Sequence, residues 1–175
     1  MKALEDTRVW LEKAVIALNL CPFAKAVHSK GQIRWVLCEA SDAAAVLAVL
    51  KSEMQHLQQA DANLVDTTLL VCPKALLNFY DFNDFLGQAE DMLADLGLEG
   101  ALQIASFHPH YQFANAAADD IDNLTNRSPH PTLHLLREDS VERAVAAFPD
   151  AADIYQRNIE TLRRLGRAGW AQLFS

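Results

Sequence analysis

Apolar residues recur at intervals of three and four across residues 4 to 20, through Trp10, Leu11, Ala14, Val15 and Leu18, with Arg8, Glu12 and Lys13 between them. That spacing lays one apolar stripe along a helix and predicts an amphipathic helix. The stretch CPFAKAVHSKG predicts a second, short helix, with Pro22 at its first position, Cys21 as its N-cap and Gly31 as its stop. Residues 33 to 38 change to a period of two, Ile33, Trp35 and Leu37 against Arg34, Val36 and Cys38, which predicts a strand. Ser41 is placed to cap a long helix with Leu47, Leu50, Met54 and Leu57 inward.

After a polar break at residues 61 to 63, TTLLVC (67 to 72) predicts a strand buried on both faces and stopped by Pro73. A helix is expected from about Asn83, with Phe85, Ala89, Met92 and Leu96 inward and Gly97 ending it. ALQIASF (101 to 107) and PTLHLL (131 to 136) predict two more strands, the last with Leu133 and Leu135 opposite Thr132, His134 and Leu136. Asp139 and Glu142 resemble a capping box for a helix to Phe148, and Asp150 opens a final helix carrying Ile154, Tyr155, Leu162 and Leu165.

Strands alternating with helices predict an α/β fold in one domain over residues 1–175. The expected architecture is a single mixed sheet of about four strands with helices mainly on one face, a ferredoxin-like or related small α/β sandwich. The first three strands should run parallel. The fourth follows without an intervening helix and suits antiparallel pairing.

A net charge of -8 argues against nucleic acid and anionic membrane surfaces as partners, because both are bound mainly by lysine and arginine. No apolar run reaches the roughly 20 residues of a membrane span. Three separated cysteines and a charged N-terminal segment without a signal-peptide core fit a reducing cytoplasm.

The chemistry concentrates in residues 106 to 138, which hold four of the six histidines together with Arg127 and Arg137. A core needs no such set, and polar loops on a rigid scaffold are where ligands bind. If the third strand stays extended, His108 and His110 continue the face of Ser106, and His134 on a neighbouring strand could join them above one surface. Arg127 and Arg137 offer forked donors suited to carboxylate or phosphate, on a loop stiffened by Pro129 and Pro131. The competing reading makes the histidines half-buried core residues and pairs the arginines with Asp119, Asp120, Asp122 or Glu138. Cys21 at a helix N-terminus, with Lys25 one turn on, would have a depressed pKa and serve as a nucleophile, or else be a small buried hydrophobe. Cys38 and Cys72 belong to the core. Fixed metal-binding spacings such as HExxH, Gly-rich phosphate loops and nucleophile elbows are missing, so neither metal nor cofactor is expected, although His108, His110 and His134 with a carboxylate from residues 119 to 122 are a conceivable metal set. The arginines of the last helix read as a solvated face.

CPFA (21 to 24), FHPHYQF (107 to 113), NRSPHPTLHLLRE (126 to 138) and IYQRNIETLRRLG (154 to 166) together resemble a bacterial family of uncharacterised proteins, catalogued as domain of unknown function 1415. The motif positions are Cys21, Pro22, His108, Pro109, Tyr111, Asn126, Arg127, Ser128, Pro129, His134 and Arg137. The resemblance implies no activity, cofactor or catalytic residue. The residues themselves suggest a small cytoplasmic enzyme: Arg127 and Arg137, with Asn126, Ser128 and Tyr111, hold an anionic small molecule, while His108 and His134 exchange protons and Cys21 adds covalent chemistry if adjacent. The alternative is a non-enzymatic anion-binding or regulatory module, in which the same basic pocket senses an anion and the aromatics of residues 79 to 82, Phe79, Tyr80 and Phe82, meet a partner.

Overall fold

The computed structural model describes residues 1–147 and 153–175. The expectations at Phe148 and Asp150 lie outside the described residues. Four strands, β1 (Ile33–Leu37), β2 (Thr67–Val71), β3 (Leu102–Phe107) and β4 (Thr132–Arg137), form one open sheet in the order β1-β2-β4-β3. β1 and β2 are parallel, and β4 is antiparallel to both β2 and β3, so β1, β2 and β3 share one direction. This is a mixed α/β fold of the expected class. The last strand in sequence lies inside the sheet, and β3 is an edge paired only with β4.

Strand β2 is enclosed along its whole length, which explains why TTLLV lacks any charged residue and closes, two residues on, at a proline unable to donate to a ladder. Helices α3 (Ala43–Gln59) and α4 (Phe79–Asp95) connect the parallel strands and cover one sheet face. There Leu50, Met54, Leu57, Phe82 and Phe85 meet Leu70, Leu133 and Leu135, all at most 1% exposed. Removing each large side chain from water contributes about 1.5–3 kcal/mol, so this layer supplies most of the driving force. Arg34 also points to this side, where its guanidinium makes a forked pair with Glu53 of α3 at 2.7 and 3.2 Å. Cys38 and Cys72 are both 1% exposed in the same core.

The opposite face carries Trp35, Leu69, His134 and Phe107. It is covered in part by α1 (Lys2–Trp10) and the π-helical stretch Leu11–Ile16, whose Trp10, Leu11, Ala14 and Val15 pack on Ile33, Trp35 and Phe107. The helix expected over residues 4 to 20 is therefore two pieces. Ala17 N–H bonds Glu12 O and Leu20 N–H bonds Val15 O, five residues back, and Asn19 turns the chain at φ 54°. The remaining helices are α2 (Ala24–Ser29), α5 (Glu138–Ala147) and α6 (Ile154–Gln172). Among the described residues no helix is long and apolar enough to cross a membrane.

Four helix starts differ from expectation. α5 begins at Glu138, directly after β4, which puts Asp139 inside its first turn instead of at the cap. α2 begins at Ala24 after Phe23, not at a Cys21 cap. The α3 cap is Asp42, whose carboxylate accepts from Ala45 N–H at 2.8 Å, and Ser41 stands one residue outside. α4 begins at Phe79 because Asn78 accepts from the N–H groups of Tyr80 and Asp81, which moves Phe79 and Tyr80 into the first turn.

Candidate functional site at the carboxyl ends of the parallel strands

β1, β2 and β3 all end at one edge of the sheet, the edge where open α/β sheets present ligand-binding loops. Two connections meet there: residues 73 to 78, leading from β2 into α4, and residues 108 to 131, between β3 and β4. In the first, Leu76 occupies the left-handed region at φ 58°, where a side chain with a Cβ costs on the order of 1–2 kcal/mol. His108 holds that conformation. Its Nδ1 accepts from His110 N–H at 3.0 Å, so its hydrogen is on Nε2 and donates to Leu76 O, also at 3.0 Å. The ring is fully buried against Phe79 and Phe82, and burial lowers its pKa. A neutral imidazole with both nitrogens committed braces two loops and exchanges no proton with a ligand.

The longer connection is tied together by its own polar side chains. Arg127 donates from Nε to Tyr111 O at 3.0 Å and from Nη2 to Ala118 O at 2.6 Å. Asn123, fully buried, accepts from Phe113 N–H and donates to Ala117 O. Asn126 donates to Ser106 O and so ties the far end of this connection back to β3, while buried Ser128 donates to His130 O at 2.6 Å and closes a turn. Tyr111 stacks beside Phe79 and Phe113. The buried Asp122 carboxylate receives a forked pair from Arg163 of α6 at 3.0 and 2.7 Å. α6 then breaks at Gly166, whose φ of 69° suits a residue without Cβ, and Arg167 follows directly, donating to Asp119 O.

These connections enclose a cleft of about 540 Å³ lined by Leu77, Asn78, Phe79, Tyr80, His110, Gln112, Ala118, Asp119, Arg127 and Arg167. That lining holds two guanidinium groups and one carboxyl group, that of Asp119. Neither Arg127 nor Arg167 forms an ion pair with a described residue. Burial, and then the positive charge of Arg167, lower the Arg127 pKa, as expected for like charges held close in a partly dry site.

The expected grouping of His108, His134, Arg127 and Arg137 does not form. His134 is opposite Ala105 and so points to the face away from His108, which follows Phe107. Thr67 Oγ1 gives its hydrogen to Leu135 O at 2.6 Å and therefore accepts from His134 Nε2–H at 2.5 Å. Burial lowers the His134 pKa to about 4, leaving a neutral ring at physiological pH. Arg137 lies at the other end of antiparallel β4, about 20 Å of strand away, and donates to Ala60 O and Val65 O. Cys21 is half-buried outside a helix terminus, and burial pushes its thiol up instead of down. Cys72 hydrogen-bonds Cys38, lowering the Cys38 thiol to about 6 and raising its own.

Arg167, Leu77 and Asn78 are missed by reading the sequence alone: Arg167 falls on what looks like a solvated face, and Leu77 and Asn78 lie before the expected helix start. His110 enters only as an extension of the His108 strand, and Tyr80 only among the aromatics expected to meet a partner. The N-cap signal of Asn78, ahead of an aromatic pair, is the clue that could have moved the helix start.

Among the described residues, no group of three or more His, Cys, Asp or Glu is arranged to hold a metal ion. No curated protein and no solved structure matches the chain. The family model described as a protein of unknown function, DUF1415, matches residues 2–172, and the chain belongs to that family.

Proposed function

We propose that the protein binds a small anion in the cleft between the α4 entry loop and residues 108 to 131, acting as an anion-binding module. The observation that carries this reading is that two guanidiniums, Arg127 and Arg167, line one cleft with no carboxylate in ion-pair contact among the described residues. Like charges side by side repel, and a phosphate or carboxylate between them removes the repulsion while accepting charge-assisted hydrogen bonds. Arg127 keeps free N–H groups beyond those bonded to Tyr111 and Ala118.

A catalytic reading has one observation in its favour, the exposed His110 imidazole in the same lining as Asp119. It lacks the two-histidine machinery expected from sequence, because His108 and His134 are committed on opposite sides of the sheet.

The test is calorimetric titration of the intact protein with inorganic phosphate and acetate at low salt. Arg167→Ala should weaken binding by about tenfold, since each lost charged contact is worth about 1.4 kcal/mol in a partly desolvated site, while the loss of its exposed bond to Asp119 O should cost less than about 1 kcal/mol of stability. Absence of measurable binding, or equal affinity in wild type and Arg167→Ala, refutes the site.

A further inference from the structure

The anion cleft has an apolar side that a bare phosphate does not use. Leu77 is 59% exposed and Tyr80 72% exposed, yet both line the same cleft as the two arginines. A scattered exposed apolar residue means little, but two large ones beside a charged cleft have a common environment. Their placement is also held against strain. Leu76 in the left-handed region packs inward on the main core while Leu77, next in the chain, remains exposed in the cleft lining. His108 maintains that arrangement through its hydrogen bond to Leu76 O. Strained backbone that the surroundings over-determine is characteristic of ligand sites.

The start of α4 adds a second constraint. Asn78 occupies the N–H groups of Tyr80 and Asp81, so those helix-terminal donors are already used and the charged recognition falls to the arginines. Phe79 is fixed between His108 and Tyr111, and Tyr80, whose ring meets that of Phe79 at a centroid distance of 6.2 Å, is the aromatic ring of that turn left open to solvent. A volume of about 540 Å³ lies within the roughly 300–1,000 Å³ range of small-molecule sites and far exceeds an inorganic anion.

We infer that the ligand is an aromatic anion, a carboxylate or phosphate carried on a planar apolar body, with the anion between Arg127 and Arg167 and the ring against Tyr80 and Leu77. The inference rests on the anion-binding reading and narrows it to a ligand class. Offset or edge contact with Tyr80 and burial of Leu77 supply affinity that the charge alone does not.

The experiment compares matched pairs on the intact protein by calorimetry: phenyl phosphate against methyl phosphate, and benzoate against acetate. At least one aromatic probe should bind about tenfold more tightly than its aliphatic partner, the scale of one buried ring face. The double variant Leu77→Ser, Tyr80→Ser should erase that preference, so that each aromatic probe binds no more tightly than its aliphatic partner, and Tyr80→Phe should preserve it. The phosphate and carboxylate pairs separately identify the headgroup. Equal binding within both pairs overturns the aromatic inference while leaving anion binding intact, whereas no binding by any probe overturns both. An aromatic preference that survives the double serine variant also overturns the assignment to Leu77 and Tyr80.

Discussion

Replacing His134 by glutamine should remove a defined share of the protein's acid sensitivity. In the folded chain burial holds His134 at about 4, against a reference value of 6.5. The neutral form is the one that folds. Above the reference value the ring is neutral in both states and contributes no pH dependence. Between the two values the unfolded chain takes up a proton that the folded chain refuses, so stability falls as pH falls. Integrating that difference gives a loss of about 2 kcal/mol by about pH 5 and about 3 kcal/mol by about pH 4, where it levels off. Glutamine can still donate to Thr67 Oγ1 but has no proton to gain. Urea unfolding of wild type and His134→Gln at about pH 7.5, 6 and 5 isolates the effect, since buried His108 contributes equally to both proteins and most carboxylates stay ionised there. The wild-type curve should be steeper by about 2 kcal/mol over that range. Parallel curves would show that the ring is solvated enough to titrate normally, and the account of its burial would fail.

Three further outcomes are expected. His108→Leu leaves Leu76 O and His110 N–H without partners and should cost about 2–4 kcal/mol in chemical unfolding, with amide exchange rising in residues 74 to 78 but not in α3; uniform exchange rises would dismiss the bracing role. Arg137→Met should lower stability by about 1–3 kcal/mol through the lost bonds to Ala60 and Val65 while phosphate affinity stays at the wild-type level, so a collapse of binding would contradict its position at the far sheet edge. Iodoacetamide on the native protein should label Cys21 before Cys38 and Cys72, which are each 1% exposed, yet more slowly than a free cysteine because burial raises the Cys21 pKa; mass spectrometry showing Cys38 labelled first would instead mean that its lowered pKa and local opening dominate.

Strand positions and the parallel run of β1 to β3 were legible because apolar alternation, and a short run such as TTLLV bounded by polar residues and a proline, suit a strand and not a helix. Helix starts were less so: Ser41 and Asp42 are both good caps, and only the carboxylate reach to Ala45 decides between them. The site failed at a longer range. Within each strand the alternation was read correctly, with His108 on the Ser106 side and His134 on the Thr132 side. What no local pattern contains is the β3–β4 register, Ala105 against His134, and a slip of one residue reverses which side chains share a face. Arg137 failed for a related reason, since residues before and after an antiparallel strand stand at opposite ends of the sheet. Arg167 depends on a helix break at Gly166 and on α6 crossing to the loop through Arg163 and Asp122, neither of which a helical wheel contains.

The interior position of β4 also determines when the sheet can close during synthesis. β1, α3, β2 and α4 can associate as soon as they emerge, but the free edge of β2 and all of β3 wait for residues 132 to 137. Until then a ribosome-bound chain presents a strand of five enclosed residues, TTLLV, with one unpaired ladder, the kind of edge that recruits other chains. Nascent chains stalled before residue 132 should therefore be the aggregation-prone and chaperone-dependent species, and the arrival of one six-residue strand converts them by sealing both neighbours at once.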